Sequence, residues 1–212
     1  MLIAGCSGQH AASPTSAPPS PSIGEVLPHS GAPKVEHPLP ASVLSGDPCQ
    51  GALTTDQLDQ ILGTAPQGEP DSTAGFGPSC NWHADATVSV SYITQAHQGL
   101  SAVYQNTKPK VTLWPVLPLI QGFPAVGFAD KLGERAGDIC TVSVGIADDL
   151  SFNAGLVLSP AKTGKADPCD LARVADMVVT NLRQKAGESR ASSPAIPEAD
   201  GRSTSTPVTA RT

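Results

Sequence analysis

The sequence predicts an α+β domain: an antiparallel sheet of about four to five strands with helices packed on one face, two disulfides, and disordered N- and C-terminal tails. Three observations carry this. Several short segments alternate apolar and polar residues, the pattern of strands with one face on a core and one in water. A helical stripe follows the second of two Asp-Pro-Cys triplets. Four cysteines, Cys49, Cys80, Cys140 and Cys169, lie between two segments rich in Pro, Ser, Thr, Ala and Gly.

Those flanking segments set the domain boundaries. Residues 7–45 hold eight Pro and eight Ser and no aromatic residue, and residues 188–212 are equally poor in large apolar side chains. Neither offers enough apolar surface to offset the entropy of ordering it. The expectation is a disordered tether over 7–45, a single globular domain over 46–187 and a disordered tail over 188–212.

Within the domain, Asp47 suits an N-cap and Pro48 a first helical position. Thr54 and Gln57 have capping-box spacing, Leu58, Ile61 and Leu62 form a small apolar face, and Gly63 ends the helix. Cys80 and Trp82 share a parity in a short strand before His83. Val88, Val90 and Tyr92 alternate with serines over 87–92. A third helix over 97–106 carries Leu100, Val103 and Tyr104, and residues 123–128 are a weaker strand. Strands follow over 140–146, with Cys140 beside the valines, and at Phe152, Ala154, Leu156 and Leu158, joined by a turn at Ala147-Asp148-Asp149. Leu171, Val174, Ala175, Val178 and Leu182 define the last helix, about 168–186, with Gly187 as its stop.

An even number of cysteines in the globular part reads as two disulfides. Zinc is disfavoured, because structural sites draw on close pairs such as C-x₂₋₄-C and the closest spacing here is 29 residues. Of three connectivities, Cys49–Cys80 with Cys140–Cys169 joins each Asp-Pro-Cys helix start to a strand. The main rival, Cys49–Cys169 with Cys80–Cys140, joins helix start to helix start and strand to strand.

Two resemblances bear on setting. Ile3-Ala4-Gly5-Cys6 resembles a bacterial lipobox, which implies lipidation of Cys6 and makes residues 1–6 the remnant of a signal whose start lies upstream. The rival is a cytosolic chain with a stray cysteine. The order Asp47-Pro48-Cys49, Leu53-Thr54, Cys80-Asn81-Trp82, Cys140-Thr141-Val142-Ser143-Val144, Asp167-Pro168-Cys169-Asp170-Leu171-Ala172 and Val174-Ala175 resembles an actinobacterial, mycobacterial-type lipoprotein family. That family is known as domain of unknown function 3558, and the resemblance spans about 47–185. It implies a secreted, lipid-anchored, disulfide-bearing domain and carries over no activity.

Catalytic motifs are absent from the sequence. Gly77-Pro78-Ser79-Cys80 is not a G-x-S-x-G elbow. Glu69, Glu134, Asp148 and Asp149 read as solvated loop or turn charges, and His83 as a surface histidine. His10, His29, His37, His83 and His97 show no metal-binding spacing. Gly75-Phe76-Gly77 reads as a turn. The proline-broken run from Trp114 to Ile120 reads as a loop across the core edge, or as an apolar lip for a ligand. With nine Lys+Arg against fourteen Asp+Glu in 46–187, nucleic acid is excluded as a partner class. The expectation is an extracytoplasmic module on the cell membrane, attached through lipid at Cys6, that is structural or binds an envelope protein, peptide or lipid. No catalytic residue, metal or cofactor is assigned. The alternative is an envelope hydrolase whose site assembles from scattered residues.

Overall fold

The computed structural model describes residues 26–73, 75–129, 139–158 and 172–191. Six strands, β1 (Glu69–Thr73), β2 (Gly77–His83), β3 (Thr87–Ile93), β4 (Ala125–Phe128), β5 (Ile139–Ala147) and β6 (Leu150–Val157), form one antiparallel sheet in the order β1-β2-β3-β6-β5-β4. Register lines up the buried residues: Cys80 faces Val90, Val90 faces Ala154, and Ala154 faces Val142. One row on, Tyr92, Phe152, Val144 and Ala125 do the same. Because side chains alternate across a strand, this parity gives one apolar face.

That face is covered by α1 (Pro48–Gly51), α2 (Thr55–Leu62) and α4 (Ala172–Ala191). Asp47 Oδ1 accepts from Cys49 N at 2.8 Å, capping α1. Thr54 and Gln57 form the reciprocal capping box of α2, which Gly63 ends in the left-handed conformation. On α4, Val174, Ala175, Val178, Val179, Leu182 and Ala186 are all buried against the sheet.

Four expectations need correction. There are six strands, because β1 was not legible: all five of its residues are exposed, so no alternation marks it. Helices lie on both faces. The fourth helix, α3 (Gly99–Asn106), packs on the opposite side, where Leu100 fills the space above Gly145 and joins Val103, Tyr104 and Val126 in a second small cluster. The helix at the C-terminal end runs through Gly187 to Ala191, so residue 188 is not the start of a tail. Residues 26–45, assigned to the tether by composition, belong to the fold. Val35, Val43 and Leu44 are buried, a 3-10 turn forms at Ala41–Leu44, and Leu39 N donates to Ile146 O at 2.9 Å.

Cys49 and Cys80 form the expected disulfide, tying the first turn of α1 to the buried face of β2. Cys140 is likewise disulfide-bonded, and Cys169, the partner expected for it, lies outside the described residues. So do Cys6, the rest of 1–25, Glu134, the second Asp-Pro-Cys triplet and residues 192–212.

Candidate functional site

A row of small polar residues crosses the sheet's second face. Asp71, Ser79, Ser91, Asn153 and Ser143 stand side by side on five adjacent strands, each in register with the next. Their parity is opposite to that of Cys80, Val90, Ala154 and Val142, which places them away from the main core. At the β4–β5 end this face is covered by α3. Towards β1 it opens into a cleft of ≈ 220 Å³ lined by Thr73, Phe76, Gly77, Ser79, Ser91, Ile93 and Asn153.

Phe76 stands at the rim, 51% exposed, and its backbone is fixed. Phe76 N donates to Thr73 O at 3.0 Å, and Phe76 O accepts from Thr94 N at 2.9 Å and Gln95 N at 3.0 Å. Gly75 N adds a bond to Gln95 Oε1 at 3.0 Å. Gly77 has φ +140° and backs directly onto Tyr92 O, where a Cβ would come within 2.3 Å, so only glycine lets the turn close here. Beside the cleft, the buried Ser143 Oγ donates to Oδ1 of the lining residue Asn153 at 2.7 Å. This holds the amide in one orientation and leaves its N–H groups as donors.

The other sequence candidates fall elsewhere. His83 Nε2 lies 3.7 Å from Glu69 Oε2, and His83 Nδ1 lies 3.1 Å from Thr87 Oγ1, at the exposed β1–β2–β3 end. Both side chains are more than half exposed, and 3.7 Å is too long for a hydrogen bond. Asp148 is structural, since its Oδ1 accepts from Val35 N at 2.9 Å. His29 N donates to Ser101 Oγ at 2.9 Å, holding the N-terminal segment to α3. Among the described residues no three His, Cys, Asp or Glu side chains are placed to hold a metal ion, and no helix is long and apolar enough to cross a membrane.

The run from Trp114 to Ile120 lies along the outer side of β4, bridging Val116 to Val126 and Ile120 to Phe123. Trp114 packs edge-on to Tyr104 at 5.1 Å and stacks near Phe128 at 6.2 Å, with Lys108 Nζ over both the Tyr104 and Trp114 rings. Leu113, Val116 and Leu119 remain exposed. The loop packed across the core edge is thus present, and it shields a sheet edge from pairing.

Sequence reasoning missed the cleft. Its polar residues come from four strands and are joined only by register. The available signal was an aromatic residue set between two glycines, which marks a rigid, projecting ring as well as a turn.

Fold and face together define a disulfide-bonded α+β domain with a six-stranded antiparallel sheet and one partly open polar face. The chain belongs to the family described as "Protein of unknown function (DUF3558)", whose model matches residues 1–181. No curated protein and no solved structure matches it.

Proposed function

We propose that this chain is a binding module of the cell envelope, carried on the extracytoplasmic side of the membrane by lipid at Cys6. The observation behind the binding reading is the uncovered part of the second face, where an exposed aromatic ring borders a mainly apolar cleft that holds a few hydroxyl and amide groups. Ligand sites are commonly concave, lined by apolar and aromatic side chains with a few placed polar groups, and this cleft has that make-up. The extracytoplasmic setting is supported by the Cys49–Cys80 disulfide, since such bonds persist in oxidising compartments. The Ile3-Ala4-Gly5-Cys6 run supports the anchor, and a diacyl group with a further acyl chain exceeds the two lipid signals that stable attachment needs.

The anchor is tested by palmitate labelling of the chain expressed behind a lipoprotein signal peptide in a native-type host. Wild type should label and partition into detergent, and Cys6→Ala should do neither; a labelled variant overturns the anchor. The binding reading is tested by mass spectrometry of what co-purifies with the detergent-extracted protein. Ser91→Leu, which fills the cleft, should remove the bound species, and an unchanged profile counts against the cleft. The competing reading, an envelope hydrolase, rests on the Glu69–His83–Thr87 contact. In that case Thr87→Val should abolish an esterase or amidase activity that wild type displays.

A further inference from the structure

We propose that the cleft beside Phe76 takes a neutral, polyhydroxylated ligand: one ring of a glycan, stacked on Phe76 with its hydroxyls against Ser79, Ser91 and Asn153. This rests on the binding-module reading and names its ligand class. Four properties of the site select that chemistry.

The first is neutrality. None of the seven lining residues is charged. An anionic ligand would meet no cation there, and the charged residue in register with Ser79 is Asp71, which repels anions. Asp71 Oδ1 accepts from Ser72 N at 2.7 Å, leaving its second oxygen as an acceptor at the rim. The second is two-way hydrogen bonding. Thr73, Ser79 and Ser91 bring hydroxyls that both donate and accept, and Asn153 brings an amide whose oxygen is already held by Ser143. Sugar hydroxyls likewise donate and accept while sugar C–H faces are apolar, so a sugar ring matches a lining in which a few such groups sit among mainly apolar surface.

The third is the ring. The faces of a pyranose present C–H groups of slight positive charge, which are drawn to the negative face of an aromatic ring. Phe76 has no polar handle of its own to hold it in water, and its backbone is pinned by three hydrogen bonds to Thr73, Thr94 and Gln95. The backbone from which the ring projects is therefore set before a ligand arrives, which lowers the ordering that binding requires. The fourth is size. At ≈ 220 Å³ the cleft is below the range of about 300–1,000 Å³ usual for drug-sized sites. It suits one ring of a chain whose neighbours continue over the exposed strand β1.

The test is an amide NMR titration of the full chain with maltohexaose, cellohexaose, mannohexaose and arabinohexaose, each neutral. Inorganic phosphate and a lysophospholipid micelle are the comparison probes. At least one saccharide should shift the amides of Gly75–Gly77, Ser91 and Asn153 in a saturable way. Phe76→Ala should weaken that binding by about tenfold, in line with the loss of one stacked aromatic pair. Phe76→Trp should restore it, which a merely structural role for the ring does not predict. Phosphate or lipid moving the same amides, with no saccharide doing so, overturns the glycan assignment and leaves the binding cleft standing. If no probe moves those amides, or if a saccharide binds Phe76→Ala as tightly as wild type, both the assignment and the cleft are overturned.

Discussion

Gln57 and Asn181 meet across 124 residues of chain: Asn181 Nδ2 donates to Gln57 Oε1 at 2.8 Å. The same oxygen accepts from Thr54 N at 2.8 Å, so the capping box of α2 is also the dock for α4. Asn181 Nδ2 gives its other bond to Ala52 O at 2.9 Å, in the link between α1 and α2. One amide thus holds three helices together over the apolar face.

Asn181→Ala should therefore cost more than a surface change. Ala52 O loses this donor and Gln57 Oε1 keeps only Thr54 N, at about 1–3 kcal/mol in total. Urea unfolding should show a lower midpoint with an unchanged slope. In a double-mutant cycle with Gln57→Ala the two effects should be less than additive. Strict additivity would mean that the contact contributes nothing.

The Cys49–Cys80 bridge encloses 31 residues of sequence separation, and losing it should cost about 3–4 kcal/mol in the chain-entropy description. Gly68 lies against the bridge: a Cβ there would come within 2.5 Å of Cys80 Sγ and 2.8 Å of Trp82 Nε1. Gly68→Ala should then destabilise the oxidised protein by about 1–3 kcal/mol through overpacking. In a Cys49→Ala/Cys80→Ala background, where both sulfurs are gone, the part of that penalty due to the sulfurs should vanish, while the contact with Trp82 Nε1 remains.

Much of this was legible in sequence wherever the cause is local. Asp47, Thr54, Gln57 and Gly63 act within a few residues of themselves, and capping chemistry identifies them. The alternation of Val88, Val90 and Tyr92 identifies a strand and its buried side. What stayed hidden depends on distant partners. Nothing near Asn181 announces Gln57, and nothing in the period of α3 says that Leu100 faces Gly145 rather than the main core. Strand β1, Glu-Pro-Asp-Ser-Thr, is held by pairing with β2 and buries no side chain, so hydrophobic patterning passes over it. Ser79, Ser91 and Asn153 became a candidate site only once register set them side by side.

Tyr92 gives a pH dependence. Burial, and secondarily the carboxylate of Asp47, raise its phenol from 10.0 to about 12. The native state thus holds the proton more tightly than the unfolded chain. Its contribution to stability is complete below pH 10.0 and is lost as pH rises towards about 12. A shift of this size corresponds to roughly 2–3 kcal/mol. Wild type should lose that much more stability than Tyr92→Phe between about pH 9 and about pH 12, read from urea midpoints. Parallel curves for the two proteins would show that the phenol ionises freely in the native state.

The N-terminal boundary is the sharpest point of difference between composition and structure. Residues 26–45 carry few apolar side chains, yet Val35, Val43 and Leu44 are at 4%, 0% and 2% exposure. Val43 and Leu44 sit in the turn that packs on α4, where the Lys185 ammonium donates to Ser45 O. Val35 reaches the β5–β6 turn, its N–H donating to Asp148 Oδ1 at 2.9 Å. Burying a side chain of this kind contributes about 1.5–3 kcal/mol, so three of them contribute roughly 4.5–9 kcal/mol. That is comparable with the whole stability of an ordinary domain, about 5–15 kcal/mol. A chain of residues 46–187 should accordingly fail to unfold cooperatively, while residues 26–191 should melt as the full-length protein does. Val43→Ala/Leu44→Ala in the full chain should reproduce most of the loss without any truncation. If 46–187 melts within a few degrees of full length, the buried N-terminal segment is not part of the cooperative unit.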